Sequence, residues 1–170
     1  RIEQTSTRAL FPSARHDRFI HSLGVYHLGH LIIEALKKTE ECESFPSNKE
    51  VVFNSYELAC LLHDIGHSPF SHTFEEYFDN DKHNLSQMLE DEIGNDDFRA
   101  DSFHFFKKAA PHEKMSAWVV IKAFGNYVQQ NADLELVVRM IIGCKYQDEV
   151  NKSFENAFID LIHGGIIDAD

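Results

Sequence analysis

Thiols, basic residues and long apolar runs are all scarce in this 170-residue chain, and each scarcity removes a class of function. The three cysteines, Cys42, Cys60 and Cys144, are scattered and form no Cys-x-x-Cys pair. Neither a disulfide framework nor a zinc ribbon is indicated, and a reducing, cytoplasmic setting is expected. Lysine and arginine number 16 against 28 aspartates and glutamates, a net charge of −12. So acidic a chain opposes a broad electrostatic footprint on nucleic acid or on an anionic membrane. It leaves room for a local basic pocket around one phosphorylated molecule. No apolar run approaches a membrane span, and no signal peptide is visible. Internal repeats, low-complexity stretches and strand-like alternation are also missing.

What the chain does hold is apolar bulk. Apolar residues make up 43% and phenylalanines number 14, enough to fill the core of one domain spanning residues 1–170. It begins at Arg1 and stops just after Ile166-Ile167-Asp168-Ala169, and is expected to be a segment of a longer protein.

The apolar spacing is helical almost throughout. Val25, Leu28, Ile32 and Leu36 mark one face of a helix from about His21 to Lys37. Ser47 and Glu50 have capping-box spacing before a helix that carries Val51, Leu58, Leu61 and Leu62 and delivers His63-Asp64 at its end. Gly66 is expected to terminate it. Ser68-Pro69 reads as a new helix start, followed by the stripe Phe70, Phe74 and Tyr77. Leu85, Met88, Leu89 and Ile93 predict a helix ended by Gly94; Phe98, Phe103, Phe105 and Phe106 predict an aromatic-rich one that supplies core. His112 to Phe124 reads as helix with Gly125 just past its end. Asp133 caps Leu134-Val137-Val138-Ile141, with Gly143 after it. Phe154, Phe158, Leu161 and Ile162 form the last stripe, stopped by Gly164-Gly165. The expected class is all-α, a compact helical bundle with no significant sheet.

The chemistry concentrates in Leu62-His63-Asp64-Ile65-Gly66-His67-Ser68-Pro69-Phe70-Ser71-His72. Imidazoles and a carboxylate side by side suit Mn, Fe, Mg or Zn. A lone His-Asp dipeptide carries no such weight, since it also fits a helix end with local hydrogen bonds. The second block is Arg18-Phe19-Ile20-His21-Ser22-Leu23-Gly24-Val25. At about 100° per residue His30 lies half a turn from His21, so His21 alone can point where His63 and Asp64 point. A further ligand has to come from elsewhere, and Asp168 and Asp170 are the candidates. His16, His27, His30, His83, His104 and His163 are expected to be structural or exposed.

The order Arg-Phe-x-His-Ser-Leu-Gly-Val, then Leu-x-His-Asp-Ile-Gly-His-x-Pro-Phe-Ser-His, then a late Ile-Asp-Ala-Asp resembles the HD-domain superfamily, and within it the deoxynucleotide triphosphohydrolase branch. The resemblance runs the length of the chain with a divergent middle. It implies a compact HD-domain fold and a divalent cation (Mn, Mg, Fe or Zn) held by His21, His63, Asp64 and Asp170. It implies that His67 and His72 face a triphosphate and orient the attacking water. It makes His112, in Pro111-His112-Glu113, the proton donor to the leaving sugar oxygen. Arg18 would contact phosphate and Gln4 the sugar or base. The implied activity is water attack on the α-phosphate of a deoxynucleoside triphosphate, releasing triphosphate. The alternatives are another phosphoester substrate, such as a nucleoside monophosphate or a nucleic acid, and a non-catalytic nucleotide- or metal-sensing module. The missing Gly-Tyr-Pro motif disfavours cyclic dinucleotides. A nucleotide is the expected partner, homo-oligomerisation is suggested by family analogy only, and no membrane partner is expected.

Overall fold

A computed structural model describes residues 17–67, 84–106 and 108–163. Among these the chain is helical, with no strand. In chain order the helices are α1 (Arg18–Leu36), α2 (Lys49–Leu62), α3 (Leu85–Ile93), α4 (Asp96–Phe105), α5 (Pro111–Val119), α6 (Gly125–Asn131), α7 (Leu134–Ile142) and α8 (Ser153–His163). A 3₁₀ turn, Glu40–Ser44, lies in the α1–α2 connection. None of the helices among the described residues is long and apolar enough to cross a membrane.

The centre of the bundle is α2, packed between α1 and α7, with α8 closing the side. Phe53 and Tyr56 of α2 meet Phe154 and Phe158 of α8, and Phe45 completes the cluster, with ring centroids 5.1–6.4 Å apart. Each fully buried side chain of this size contributes about 1.5–3 kcal/mol. Ser55 links α2 to α7: its Oγ donates to Val51 O at 2.7 Å and accepts from Asp133 N at 3.1 Å.

Several helix ends follow the expected chemistry. Asp133 accepts from Leu136 N at 3.1 Å, and Gly94 and Gly143 take left-handed φ values of 65° and 67° at the ends of α3 and α7. Others differ. Helix α1 starts at Arg18 rather than near His21, because Asp17 Oδ1 accepts from Ile20 N at 3.0 Å. Its buried face is Val25, Gly29 and Ile33, while Leu28 is 52% exposed. The rotation has a steric cause. A Cβ on Gly29 would stand 2.8 Å from Cys60 Sγ, so the glycine is the only residue of α1 there that lets α2 come so close. The Ser47–Glu50 capping box does not form: α2 begins at Lys49, Asn48 Nδ2 donates to Glu155 Oε1 at 3.2 Å, and Glu50 pairs with Lys37 at 3.4 Å. Gly125 does not end a helix. It opens α6, joined to α5 by a π-helical turn at Val120–Phe124. Phe98 and Phe106 are core, but Phe103 is exposed. Ser68-Pro69, the Phe70–Phe74–Tyr77 stripe and Gly164-Gly165 lie outside the described residues.

Among the described residues the largest fully buried side chain is Arg139 of α7, which the sequence did not single out. Its guanidinium pairs with Asp101 Oδ2 at 2.9 Å and Glu135 Oε1 at 2.8 Å, and lies over the Tyr146 ring at 3.8 Å. It thereby ties α4 to α7. Losing one member of such a buried pair costs about 3–5 kcal/mol, because the remaining charge stays buried.

All three cysteines are free and buried. Burial pushes the Cys60 thiol from its ordinary 9.0 up to about 12. Burial does the same to Cys144, up to about 12, despite the opposing charge of Arg139. The folded state therefore holds these protons more tightly than the unfolded one. Their contribution is fully present below pH 9 and is lost as pH rises toward 12, at up to about 1.4 kcal/mol per pH unit per thiol. Urea titrations from pH 8 to 11 should show stability falling with that sign, and Cys60→Ala should flatten the fall. A pH-independent midpoint over that range would contradict it.

Candidate metal centre

The first turn of α1 and the last turn of α2 meet at one end of the bundle. Arg18 and His21 come from α1; His63, Asp64 and His67 follow directly on α2. His63, Asp64 and His67 are all buried, and Gly66 with them. Helix α2 ends at Leu62, with His63 still helical and its N–H donating to Ala59 O at 2.9 Å, and potential donor atoms of His21, His63 and Asp64 lie within 4.8 Å of one another.

His63 Nδ1 lies 2.9 Å from Cys60 O. A carbonyl only accepts, so Nδ1 carries the hydrogen and Nε2 presents its lone pair. That lone pair faces His21 Nε2 at 3.3 Å, the rings nearly perpendicular at 68°. Two imidazole nitrogens bound cis to one cation are separated by about 2.9–3.4 Å when each bond is about 2.0–2.1 Å. Asp64 Oδ2 lies 3.8 Å from His21 Nε2 and pairs with Arg18. The carboxylate thus already receives positive charge at the oxygen nearest His21. The donor set of two imidazoles and a carboxylate, with one tautomer fixed by a backbone acceptor, fits a divalent cation.

A second group, Asp64, His67 and His112, has potential donor atoms within 4.8 Å of one another. Its geometry differs. His67 Nε2 is 3.9 Å from Asp64 Oδ1, and the His67 and His112 rings are stacked, centroids 4.1 Å apart and 16° from parallel. Lone pairs lie in the ring planes, so two stacked rings direct them side by side rather than onto one ion. Both groups could hold a metal ion, and the first has the more convergent donors.

Helix α5 reaches this end because of Gly66. A Cβ there would sit 2.2 Å from Ser116 N and 2.5 Å from Met115 C. Backbone contact of that kind excludes any side chain. Gly66 N also donates to Ser116 Oγ at 2.9 Å. Gly66 is therefore not a helix terminator; it is the seat for α5, and it sets His112 over His67. Sequence reasoning missed Ser116, although it lies one helical turn from His112 and so on the same face. The other histidines stand apart: His30 Nδ1 meets Glu57 Oε1 at 2.8 Å, and His27 is exposed. Gln4, His72, Asp168 and Asp170 lie outside the described residues, as do His16 and His83.

The HD-domain family model matches residues 18–141. This chain belongs to the HD-domain family. The span starts at Arg18 and takes in His21, His63, Asp64, His67 and His112. Among curated relatives, the chain is 43% identical over 75 residues to a deoxynucleoside triphosphate triphosphohydrolase SAMHD1 homolog from Dictyostelium discoideum, covering 44% of this chain and 14% of that protein. It is 42% identical over 69 residues to human deoxynucleoside triphosphate triphosphohydrolase SAMHD1, covering 41% of this chain and 10% of the relative. It is 40% identical over 90 residues to the uncharacterized protein YwfO of Bacillus subtilis, covering 52% and 20%. The matched stretch of this HD domain thus spans a fifth or less of each of these relatives. No solved structure matches it.

Gly66→Ala tests the seat directly. The added methyl should push α5 off the turn, lower stability by about 3 kcal/mol in urea, and weaken manganese binding at least tenfold by calorimetry. Parental stability and parental manganese affinity would contradict this packing.

Proposed function

We propose that this HD domain is a metal-dependent phosphohydrolase whose substrate is a nucleoside triphosphate, with deoxynucleotides first, and whose products are triphosphate and a nucleoside. The observation that carries the reading is the edge-on approach of His21 and His63, Nε2 to Nε2 at 3.3 Å with the rings at 68°, beside a buried aspartate. The triphosphohydrolase assignment draws further support from the activity for which the SAMHD1 relatives are named.

In this reading His21, His63 and Asp64 hold the cation, with Asp170 as the fourth ligand. When bound, the cation supplies Lewis acidity toward a phosphoryl oxygen and makes water acidic enough to react near neutral pH. The water oxygen forms a bond to α-phosphorus while the bond from α-phosphorus to the sugar oxygen breaks. Two proton transfers have to be served. His67, 3.9 Å from Asp64, and His72 orient the water and receive its proton. His112 gives a proton to the leaving sugar oxygen; histidine suits the task because both its forms are populated at working pH. Stacking on His67 fixes the plane of the His112 ring. Arg18, paired with Asp64, would provide the cationic contact for phosphate. Gln4 reads the sugar or base.

Incubation of the manganese- or magnesium-loaded protein with each of the four deoxynucleoside triphosphates should release inorganic triphosphate, identified by mass spectrometry. His63→Ala should abolish it, and His112→Asn should lower kcat by about 10²–10⁴-fold. Absence of triphosphate from all four substrates, with bound metal confirmed, would overturn the substrate assignment. Monophosphate release from another phosphoester would redirect it within the same chemistry.

A further inference from the structure

The last residue of α8, His163, touches none of the groups above, yet its contacts run straight to them. Its Nε2 lies 2.8 Å from Met140 O and 3.0 Å from Ile141 O, the carbonyls at the end of α7. Both are acceptors, so Nε2 carries a hydrogen and donates. The ring rests on Gly143, where a Cβ would stand 3.2 Å from its Cγ. The opposite nitrogen, Nδ1, faces Glu113 Oε1 at 3.7 Å. Glu113 spends its other oxygen on the start of α5: Oε2 accepts from Ala110 N at 2.6 Å. Ala110 and Glu113 bracket Pro111-His112.

An imidazole seated on α7 therefore faces, at 3.7 Å, the carboxylate that pins the first turn of α5. We propose that His163 is a positioning residue, which through Glu113 fixes the start of α5 and with it the stack of His112 on His67. This rests on the reading of His112 as proton donor, and it assigns a role to a histidine that the sequence marks only as structural or exposed. A simple cap on α7 would need the two carbonyl contacts alone. It would not require the remaining nitrogen to face Glu113, nor Glu113 to divide its oxygens between His163 and the backbone beside His112. The consequence is geometric. A shift of about 1 Å in a proton donor can cost about 10²-fold in rate, whereas substrate binding through the cation and Arg18 is untouched.

The test uses His163→Ala, His163→Gln and Glu113→Ala in the whole chain, each checked for a cooperative melt. The ring protons of His112 feel the ring current of His67, so their NMR shifts report the stack without any turnover. In His163→Ala these resonances should move toward unstacked positions, and kcat should fall by about 10–100-fold with KM within twofold. His163→Gln, whose amide can still donate to the carbonyls and reach toward Glu113, should recover most of both. The double variant His163→Ala/Glu113→Ala should be no worse than Glu113→Ala alone, since the two act in series. Parental His112 resonances in a folded His163→Ala protein, or a kcat within twofold of the parent, would overturn the proposal. If the parent turns over no nucleotide, the proposed function fails, while the resonances still decide the role of His163.

Discussion

A missing Cβ is the constraint on which the rest depends. At Gly66 the backbone of α5 comes to 2.2 Å of where a side chain would begin, and Ser116 Oγ closes the contact at 2.9 Å. Without that approach the turn after α2 would carry His63, Asp64 and His67 without the histidine of α5. With it, His112 lies flat on His67, and the end of the bundle that holds His21, His63 and Asp64 acquires a stacked histidine pair as well. Gly29 does the same service on the other side, letting α1 press onto Cys60 and Tyr56 of α2 and so placing His21 opposite His63. Two close helix contacts, each made possible by a glycine, give the site its depth.

Charge is arranged to match. The chain carries a net −12, yet the buried Asp64 is met by Arg18 and flanked by His21 and His67. The charge of Arg18 thus lies against the one buried carboxylate among the three histidines. Among the described residues most other carboxylates are exposed, as in Glu40, Glu41 and Glu43. One exception is the Asp101–Arg139–Glu135 cluster, which holds the α4 helix to α7. Its role is structural.

Much of this was legible in the amino-acid order, for identifiable reasons. Period-3.6 spacing gave the helices, and Asp133, Gly94 and Gly143 marked real boundaries because a side-chain oxygen or a left-handed φ is required there. His21, His63 and Asp64 were grouped from facing and from family order, and the structure brings those three within reach of one another. What the sequence hid was tertiary in origin. The burial of Gly29 rather than Leu28 depends on the bulk of Cys60 across the interface. Ser47 has the right spacing to cap α2, but Asn48 is drawn toward Glu155 on a helix more than a hundred residues away. Gly125 has the composition of a stop, yet a π-helical turn carries the chain through it. Gly66 looked like punctuation because close backbone contact leaves no signature in a single sequence. His112 was recognised only through its neighbours Pro111 and Glu113, and the ties from Glu113 to His163 and Ala110 cannot be read from spacing.

The proposed chemistry needs one cation between the end of α2 and the start of α1. Diffraction from manganese-soaked crystals, with anomalous differences collected at the manganese edge, should show a single strong peak about 2.0–2.3 Å from His21 Nε2, His63 Nε2 and an Asp64 oxygen, with Asp170 the proposed fourth ligand. A peak between His67 and His112 instead, or no peak near His63 at saturating manganese, would contradict it.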